Sequence, residues 1–446
     1  MKKQTLATLS WLATVLLGCV LARSASADMM FDPQYYRELV DASSPQTISP
    51  GTKITLKNWG EYKHFMPIWL QAAYSGNYHW HIGSGPEFTI TVGPTSDFPL
   101  PKRFRQDTEK YNGQDRLEKT SWGGYTIKGY TAGVPFPNPA EPDLAAKLMY
   151  NAWLPFRPFV SRYYSWDRIV DKYGNVSNQD TDNTFFEMAY LSDEGYPNTT
   201  LYSNGYFQAG HYFIAAPEQS RYTTELQLQP TDPTKLQELY IFLPSLRRSL
   251  RLSSAARCTP LLGTDYIADD GSWLPPNFAP TFLGEKKILS PVMDPRFAYD
   301  AKSYAGGGSV PSESFPGWPV AGTNHWELRV YYVVDLLALP ILGNYCYSHR
   351  IFYVDKQTWL AAEAGMENYD RTGKLYKMLW NVQVPINYRG EITTYVYATG
   401  MSMAMDFQNQ HVTWNNDSPV QIDNQVPAEH RDPINATPAG LARVMK

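Results

Sequence analysis

Few residues in this 446-residue chain are placed to do chemistry, and they are scattered. His79-Trp80-His81 sets two imidazoles on one face of an extended segment, half of a tetrahedral metal site. No Cys, His or Asp follows at ligand spacing, so the plainer reading is two polar strand residues. Asp265, Asp269 and Asp270 beside Gly271, and the run Asp180-Thr181-Asp182-Asn183, carry carboxylates of the kind that bind calcium. Neither has the spaced ligands and closing Glu of a recognised calcium loop, so both are read as solvated turns and no metal is expected. His81-Ile82-Gly83-Ser84-Gly85 has the composition of a nucleophile elbow but the wrong spacing, and no G-x-S-x-G or S-x-x-K occurs. No phosphate loop or dinucleotide fingerprint is found, so no cofactor is expected. A carboxylate pair that meets only in the fold stays open, as for glycoside cleavage. Arg247, Arg248 and Arg251 follow Leu243-Pro244-Ser245-Leu246 and form the one notable basic cluster. Guanidinium groups grip phosphate or carboxylate head groups, or a partner, in bidentate fashion. A salt-bridged sheet surface is the bland alternative.

The elements that must carry these groups are mostly strands. From Trp326 to Trp380 the chain reads as consecutive β-strands joined by polar turns. Trp326, Leu328, Val330, Tyr332 and Val334 share one face; Glu327, Arg329, Tyr331, Val333 and Asp335 share the other, expected mostly to meet water. Asp355-Lys356-Gln357-Thr358 and Asp370-Arg371-Thr372-Gly373 are turns in which Asp bonds the local backbone and Gly supplies a positive φ. Arg221 to Gln229 alternates, with Tyr222, Leu226 and Leu228 opposite Thr223, Glu225 and Gln227. Pro230-Thr231-Asp232-Pro233 turns it back into Gln237 to Leu243 as an antiparallel pair. Other strand signals lie at 78–92, 120–130 around Gly123-Gly124, 166–170, 184–191, 207–215 and 390–398. Helical spacing occurs twice. Trp59 to Tyr74 groups Phe65, Trp69 and Ala72, with Pro67 imposing a kink. Asp143 to Trp153 carries a Leu144, Leu148, Met149 stripe and ends at Pro155. Residues 304–324 are Gly-, Ser- and Pro-rich, an exposed loop or lid.

Bulk properties narrow the class. Hydrophobic residues make up 43% of the chain, enough for a real core. Its 32 Tyr suit half-buried pleated surfaces. Lys2 and Lys3, the apolar run Leu6 to Leu21 and the small-x-small Ala25-Ser26-Ala27 together read as a cleaved export signal. Leu16-Leu17-Gly18-Cys19 offers the alternative of a lipid anchor through Cys19. Losing residues 1–27 removes three bases and no acid from a net charge of −4, which disfavours nucleic acid as a partner. No later run of apolar residues is long enough for a spanning helix. Cys258 and Cys346 are the cysteines left after cleavage, and an oxidising compartment permits them one pairing; two separate thiols are the alternative.

Several blocks occur in a fixed order: Gly133-Val134-Pro135-Phe136-Pro137, Met149-Tyr150-Asn151, Leu239 to Arg248, Gly263-Thr264-Asp265-Tyr266, Trp326-Glu327-Leu328-Arg329, Arg350 to Asp355, and Tyr369 to Leu375. The set resembles a large proteobacterial domain-of-unknown-function family, family 1329, classed with the LolA/LolB-like outer-membrane lipoprotein-sorting proteins. The resemblance spans about residues 50–400. It implies a mainly β, α+β fold: a large antiparallel half-open β-barrel, LolA-like, with helices closing the open side. It also implies a periplasmic role in binding a lipid or other hydrophobic molecule, with an efflux pump or outer-membrane protein as partner, and it brings no catalytic residues.

The expected organisation is therefore a signal peptide over 1–27, an irregular leading segment over 28–50, one LolA-like β domain with insertions over 51–414, and a polar C-terminal tail over 415–446. The expected function is a periplasmic carrier of a lipid or hydrophobic small molecule, without catalysis. Phe65, Trp69, Leu226, Leu228, Trp326, Leu328, Val330 and Tyr332 are the candidate cavity lining, since each buried apolar side chain adds roughly 1.5–3 kcal/mol. For each of them, core packing is the plain alternative. Rival functions are a periplasmic enzyme on glycans or lipid esters, a carbohydrate-binding protein and an outer-membrane channel.

Overall fold

Alternating side chains and tight polar turns build one long sheet, antiparallel except where Val292 meets Gln383 in a parallel pairing. The computed structural model describes residues 29–38, 47–75, 89–193, 195–196, 205–253, 257–271, 273–293, 324–361, 364–395 and 399–445. The expected export segment, the His79 and His81 strand and nearly all of the 304–324 loop lie outside the described residues.

Two short strands, β1 (Lys53–Ile54) and β2 (Ile90–Thr91), pair with each other, and β3 (Arg116–Lys119) and β4 (Tyr125–Lys128) form a hairpin. The main sheet then begins with β5 (Val160–Val170), β6 (Val176–Glu187), β7 (Tyr206–Ala216), β8 (Thr224–Pro230), β9 (Glu238–Leu243) and β10 (Arg248–Leu252). It continues with β11 (Phe278–Met293), β12 (Asn324–Ala338), β13 (His349–Asp355), β14 (Met366–Tyr369) and β15 (Leu375–Gln383). A small hairpin follows, β16 (Ile386–Tyr388) with β17 (Glu391–Thr393). The chain then returns as β18 (Thr399–Asp406), β19 (His411–Asp417) and β20 (Gln421–Ile422). The spatial order is β10-β9-β8-β7-β6-β5-β19-β18-β15-β11-β12-β13-β14, with β20 beside β5. The late strands β18 and β19 thus join two wings made earlier. Because β14 also pairs with β15, one wing folds back on itself while the other stays open, the half-open form that the family resemblance implied.

Turn chemistry holds as expected. Asp370 Oδ1 accepts from the backbone of Thr372 and Lys374, and Gly373 sits at φ +83°. Asp355 Oδ1 accepts from the backbone of Gln357 and Thr358. The aromatic helix over 59–74 is broken where expected. Trp59–Tyr62 and a 3-10 turn at Lys63–Phe65 end before Pro67, and Ile68–Ser75 restarts.

The back of the sheet is covered twice. On β11, β12, β15, β18 and β19, Ile288, Tyr331, Val333, Met378, Trp380, Met401, Met403, Met405, Val412 and Trp414 pack under the helix Ile68–Ser75. Phe65 and Trp69 belong to this core. Trp69 Nε1 donates to the Ala364 carbonyl at 2.8 Å, and its ring lies 5.8 Å from that of Trp380. Gly365 is required beside it: its φ is +90°, and a Cβ there would stand 2.5 Å from the Trp69 indole nitrogen. On β5 to β9 the back face is Val160, Phe186, Ala209, Leu226, Leu228 and Phe242, closed by Val426, Ala436 and Leu441. The stretch expected as a polar tail from Asn415 therefore completes β19 and folds over the sheet. Its apolar residues are too few and too irregular to show a period.

Three expectations about charge need correcting. Glu327, Arg329 and Asp335 do not face water; they are 0%, 3% and 6% exposed. Strand β12 is central, and residues 94–98 lie over that face. Arg329 Nε reaches Asp355 at 2.7 Å and its Nη1 reaches Glu327 at 3.1 Å, so burial is offset by pairing. Asp265, Asp269 and Asp270 are buried too, not solvated. His411 Nδ1 lies 2.7 Å from Asp265, Tyr347 donates to Asp270 at 3.1 Å, and Arg257 and Arg350 stand beside Asp269 and Asp270 at 3.8 and 3.6 Å. Asp180 and Asp182 lie within β6 rather than in a turn; Arg162 Nε donates to Asp182 at 2.8 Å.

Candidate functional site

On the front of the sheet the alternation that buries Leu226 and Leu228 behind must bring Glu225, Gln227 and Gln229 forward. The same holds for Tyr163, Ser165 and Asp167 on β5, Gln179, Thr181 and Asn183 on β6, and Asn415 and Asp417 on β19. Antiparallel register aligns these groups across strands. One row runs Gln179–Asp167–Asn415–Ser402–Asn381 over five neighbouring strands. The next holds Thr181–Ser165–Asp417, and the third Glu225–Tyr212–Asn183–Tyr163.

Opposite this polar wall lies an apolar one. The helix Leu144–Trp153 begins after Asp143 and ends before Pro155, which puts Trp153 over the sheet. Leu261, Leu262, Trp273 and Leu360 continue the wall, while Leu379 on β15 and its β14 neighbour Met366 line the cavity from the sheet itself. Between the two lies a partly open cavity of about 260 Å³. Cys258 and Cys346 form a disulfide, with Cα atoms 5.8 Å apart, just before the Leu261–Gly263 turn. Leu262 in that turn is held at φ 50°, a conformation disfavoured for a side-chain-bearing residue.

Several polar ends on this wall lack partners within the described residues. Gln229 is 3% exposed, yet neither its Oε1 nor its Nε2 meets a partner among the described residues. Gln179 Nε2, Asn183 Oδ1 and Asn415 Oδ1 are in the same state. An unmet buried polar group costs about 1–3 kcal/mol, and four residues of this wall carry one or more of them. Burial pushes the Asp167 carboxyl up to about 7, against the donors Ser165 and Asn415 and helped by the nearby Asp417. Burial likewise raises Glu225 to about 7, with a bond from Gln227 opposing it.

None of the eight candidate lining residues reaches this cavity. Leu226 and Leu228 lie on the back face, and Phe65, Trp69 and Trp326 are fully buried in the core under Ile68–Ser75. Leu328 packs against that core, Val330 is half-buried, and Tyr332 stacks on Trp359 at 6.1 Å. The physical reason is that the chain itself covers the apolar strand faces. Arg247, Arg248 and Arg251 are exposed on the β9–β10 hairpin at the sheet edge; Arg251 pairs with Glu238 at 2.9 Å. No cluster of metal-ligating side chains occurs among the described residues. One signal for the true lining was present in the sequence. The polar positions of β5, β6 and β8 are Gln, Asn, Thr, Ser and single acids rather than the Lys and Glu of a solvated strand.

Comparison with known proteins gives the chain its relatives. No protein with a curated description matches it. Among solved structures, a DUF1329 family protein from Desulfovibrio piger is similar with a TM-score of 0.46 and 12% identity, over 67% of this chain and 98% of that one. A putative outer membrane lipoprotein-sorting protein domain from Vibrio parahaemolyticus gives 0.45 and 13% identity, over 66% and 99%. A LolA superfamily protein from Nitrosomonas europaea gives 0.39 and 14% identity, over 66% and 97%. The profile of the family described as "Protein of unknown function (DUF1329)" matches residues 53–439, and the chain belongs to that family.

Proposed function

We propose that this chain is a periplasmic binding or carrier protein for one small amphipathic molecule, held between the polar front of the sheet and the apolar wall above it. The carrying observation is a cavity of mixed lining: buried amides without partners on the sheet, with Trp153, Trp273 and Leu360 over them and Met366 and Leu379 beside them. Ligand sites typically pair apolar lining with a few placed polar groups. At about 260 Å³ the cavity suits a single chain or a compact ligand better than a large multi-chain lipid. The export-type N-terminus and the disulfide support an oxidising compartment outside the cytoplasm. Delivery to an efflux pump or outer-membrane partner is part of the same proposal.

Native mass spectrometry on protein purified from the periplasm tests it. The expected result is a co-purifying small mass that is lost in Ala361→Trp, which fills the cavity from its apolar wall. A mass-free protein that stays so when lipid extracts are offered contradicts it.

A second reading has an observation of its own. Asp167 and Glu225, both raised to about 7, share one cavity, as groups for acid–base work would. Hydrolysis of a chromogenic ester or glycoside, abolished in Asp167→Asn or Glu225→Gln, would establish that reading; no turnover would remove it.

A further inference from the structure

One register row of the sheet borders the cavity along its whole length. Gln179, Asp167, Asn415, Ser402 and Asn381 stand side by side on β6, β5, β19, β18 and β15, and all five line the cavity. Four strand spacings of about 4.8 Å make the row roughly 19 Å long. Its chemistry is amide, carboxyl, amide, hydroxyl, amide, with no basic side chain. Gln179, 7% exposed, keeps Nε2 without an acceptor among the described residues, and Asn415 keeps Oδ1 without a donor. Asp167 Oδ1 accepts from Ser165 Oγ at 2.6 Å and Asn415 Nδ2 at 2.7 Å, while its Oδ2 has Thr181 Oγ1 only at 3.5 Å. The row thus presents a donor and acceptors in alternation. At its β15 end the lining turns apolar: Leu379 lies two residues from Asn381 on the same strand and pairs with Met366. The one basic side chain among the described lining residues, Arg157, lies off the row and is turned to the Trp153 carbonyl at 3.4 Å.

Three kinds of polar head meet this row differently. A carboxylate or phosphate only accepts, and the Asp167 carboxyl beside it opposes its charge. An ammonium only donates, so it leaves Gln179 Nε2 unanswered. A hydroxyl both donates and accepts, and so suits Gln179, Asp167 and Asn415 alike. One hydroxyl reaches a pair of neighbouring strands; a group with several reaches more of the row. We propose that the polar part of the ligand is neutral and carries several hydroxyls, as a sugar ring or a glycerol does, and lies along the row from Gln179 toward Asn381, with its apolar part against Leu379 and Met366. This rests on the amphiphile-binding reading and narrows it to one head-group class.

Calorimetric titration at pH 7 with octyl glucoside, monooctanoylglycerol, 1-octanol, octanoate and octylammonium, each below its micelle concentration, tests both levels separately. The expected result is that octyl glucoside or monooctanoylglycerol binds at least tenfold tighter than octanol, with octanoate and octylammonium no tighter than octanol. The tighter of the first two tells a sugar from a glycerol head. Gln179→Leu and Asn381→Ala should each cut the ratio of that ligand to octanol several-fold while leaving octanol affinity unchanged. Octanol binding as tightly as both polyhydroxyl ligands, or octanoate or octylammonium binding tighter than either, overturns the hydroxyl assignment and leaves the amphiphile reading standing. Failure of all five to bind, with the melting curve intact, overturns both. The comparison on the unaltered protein keeps the test valid even where a variant folds poorly.

Discussion

The two faces of the central sheet follow one alternation rule and end in opposite states. Behind β8, Leu226 and Leu228 are sealed by Val426, Ala436 and Leu441 from the chain's own C-terminal segment. In front, Glu225, Gln227 and Gln229 face a cavity, and Gln229 meets no partner within the described residues. Period-two alternation says which residues share a face. It does not say which face the rest of the chain will cover. Here the apolar strand residues mark where the chain packs on itself, and the amides without partners lie on the face that borders the cavity.

The sharpest way to break this contrast is on the covered side. Arg329→Met should remove the guanidinium from between Glu327 and Asp355 and cost about 3–5 kcal/mol in urea unfolding. A change near zero would mean that these acids are solvated after all. Leu226→Ala should cost about 2–5 kcal/mol by opening a void under the C-terminal segment, with ligand binding per folded molecule unchanged. The open side should answer with the reverse sign. Gln229→Leu removes two unmet polar ends from a buried position, and should raise the stability of the ligand-free protein by about 1–3 kcal/mol while weakening ligand affinity. A loss of stability there would show that Gln229 is a structural partner.

The pH dependence of stability gives a slope rather than a single step. Asp167 and Glu225 keep their protons in the folded state up to about 7, while the unfolded chain gives them up near the ordinary carboxylate value. The folded state thus binds more protons across that window, so stability falls as pH rises, by about 1.4 kcal/mol per pH unit for each carboxyl. Thermal melts between pH 4.5 and 7.5 should show this decline for the ligand-free protein, and Asp167→Asn should flatten it. An unchanged slope in the variant would place the proton elsewhere.

Much of the fold was legible in the sequence. The strands after Trp326, the turns at Asp355 and Asp370, the break at Pro67 and the helix ending at Trp153 all follow from period, proline and Asp–Gly chemistry. The site was not legible, for reasons of covering. The helix Ile68–Ser75 and residues 420–445 are distant in sequence from the strands they seal, so no local pattern foretold that Trp69, Trp326, Leu226 and Leu228 would be core. Burial of Glu327 and Arg329 depended on residues 94–98 crossing over them, a contact equally invisible to periodicity. The row Gln179–Asp167–Asn415–Ser402–Asn381 draws on five strands from three separate parts of the chain and exists only in the register of the finished sheet.

The most direct test of the account uses the tryptophans, which stand on both sides. Trp153 and Trp273 line the cavity, whereas Trp69, Trp326, Trp380 and Trp414 belong to the back core. With fluorotryptophan incorporated and each signal assigned by Trp→Phe substitution, fluorine NMR would follow a titration with the extracted ligand. The account predicts saturable shifts at Trp153 and Trp273, with the four back-core signals unmoved. Shifts at Trp69 or Trp380 with Trp153 and Trp273 silent would place the ligand behind the sheet and contradict it.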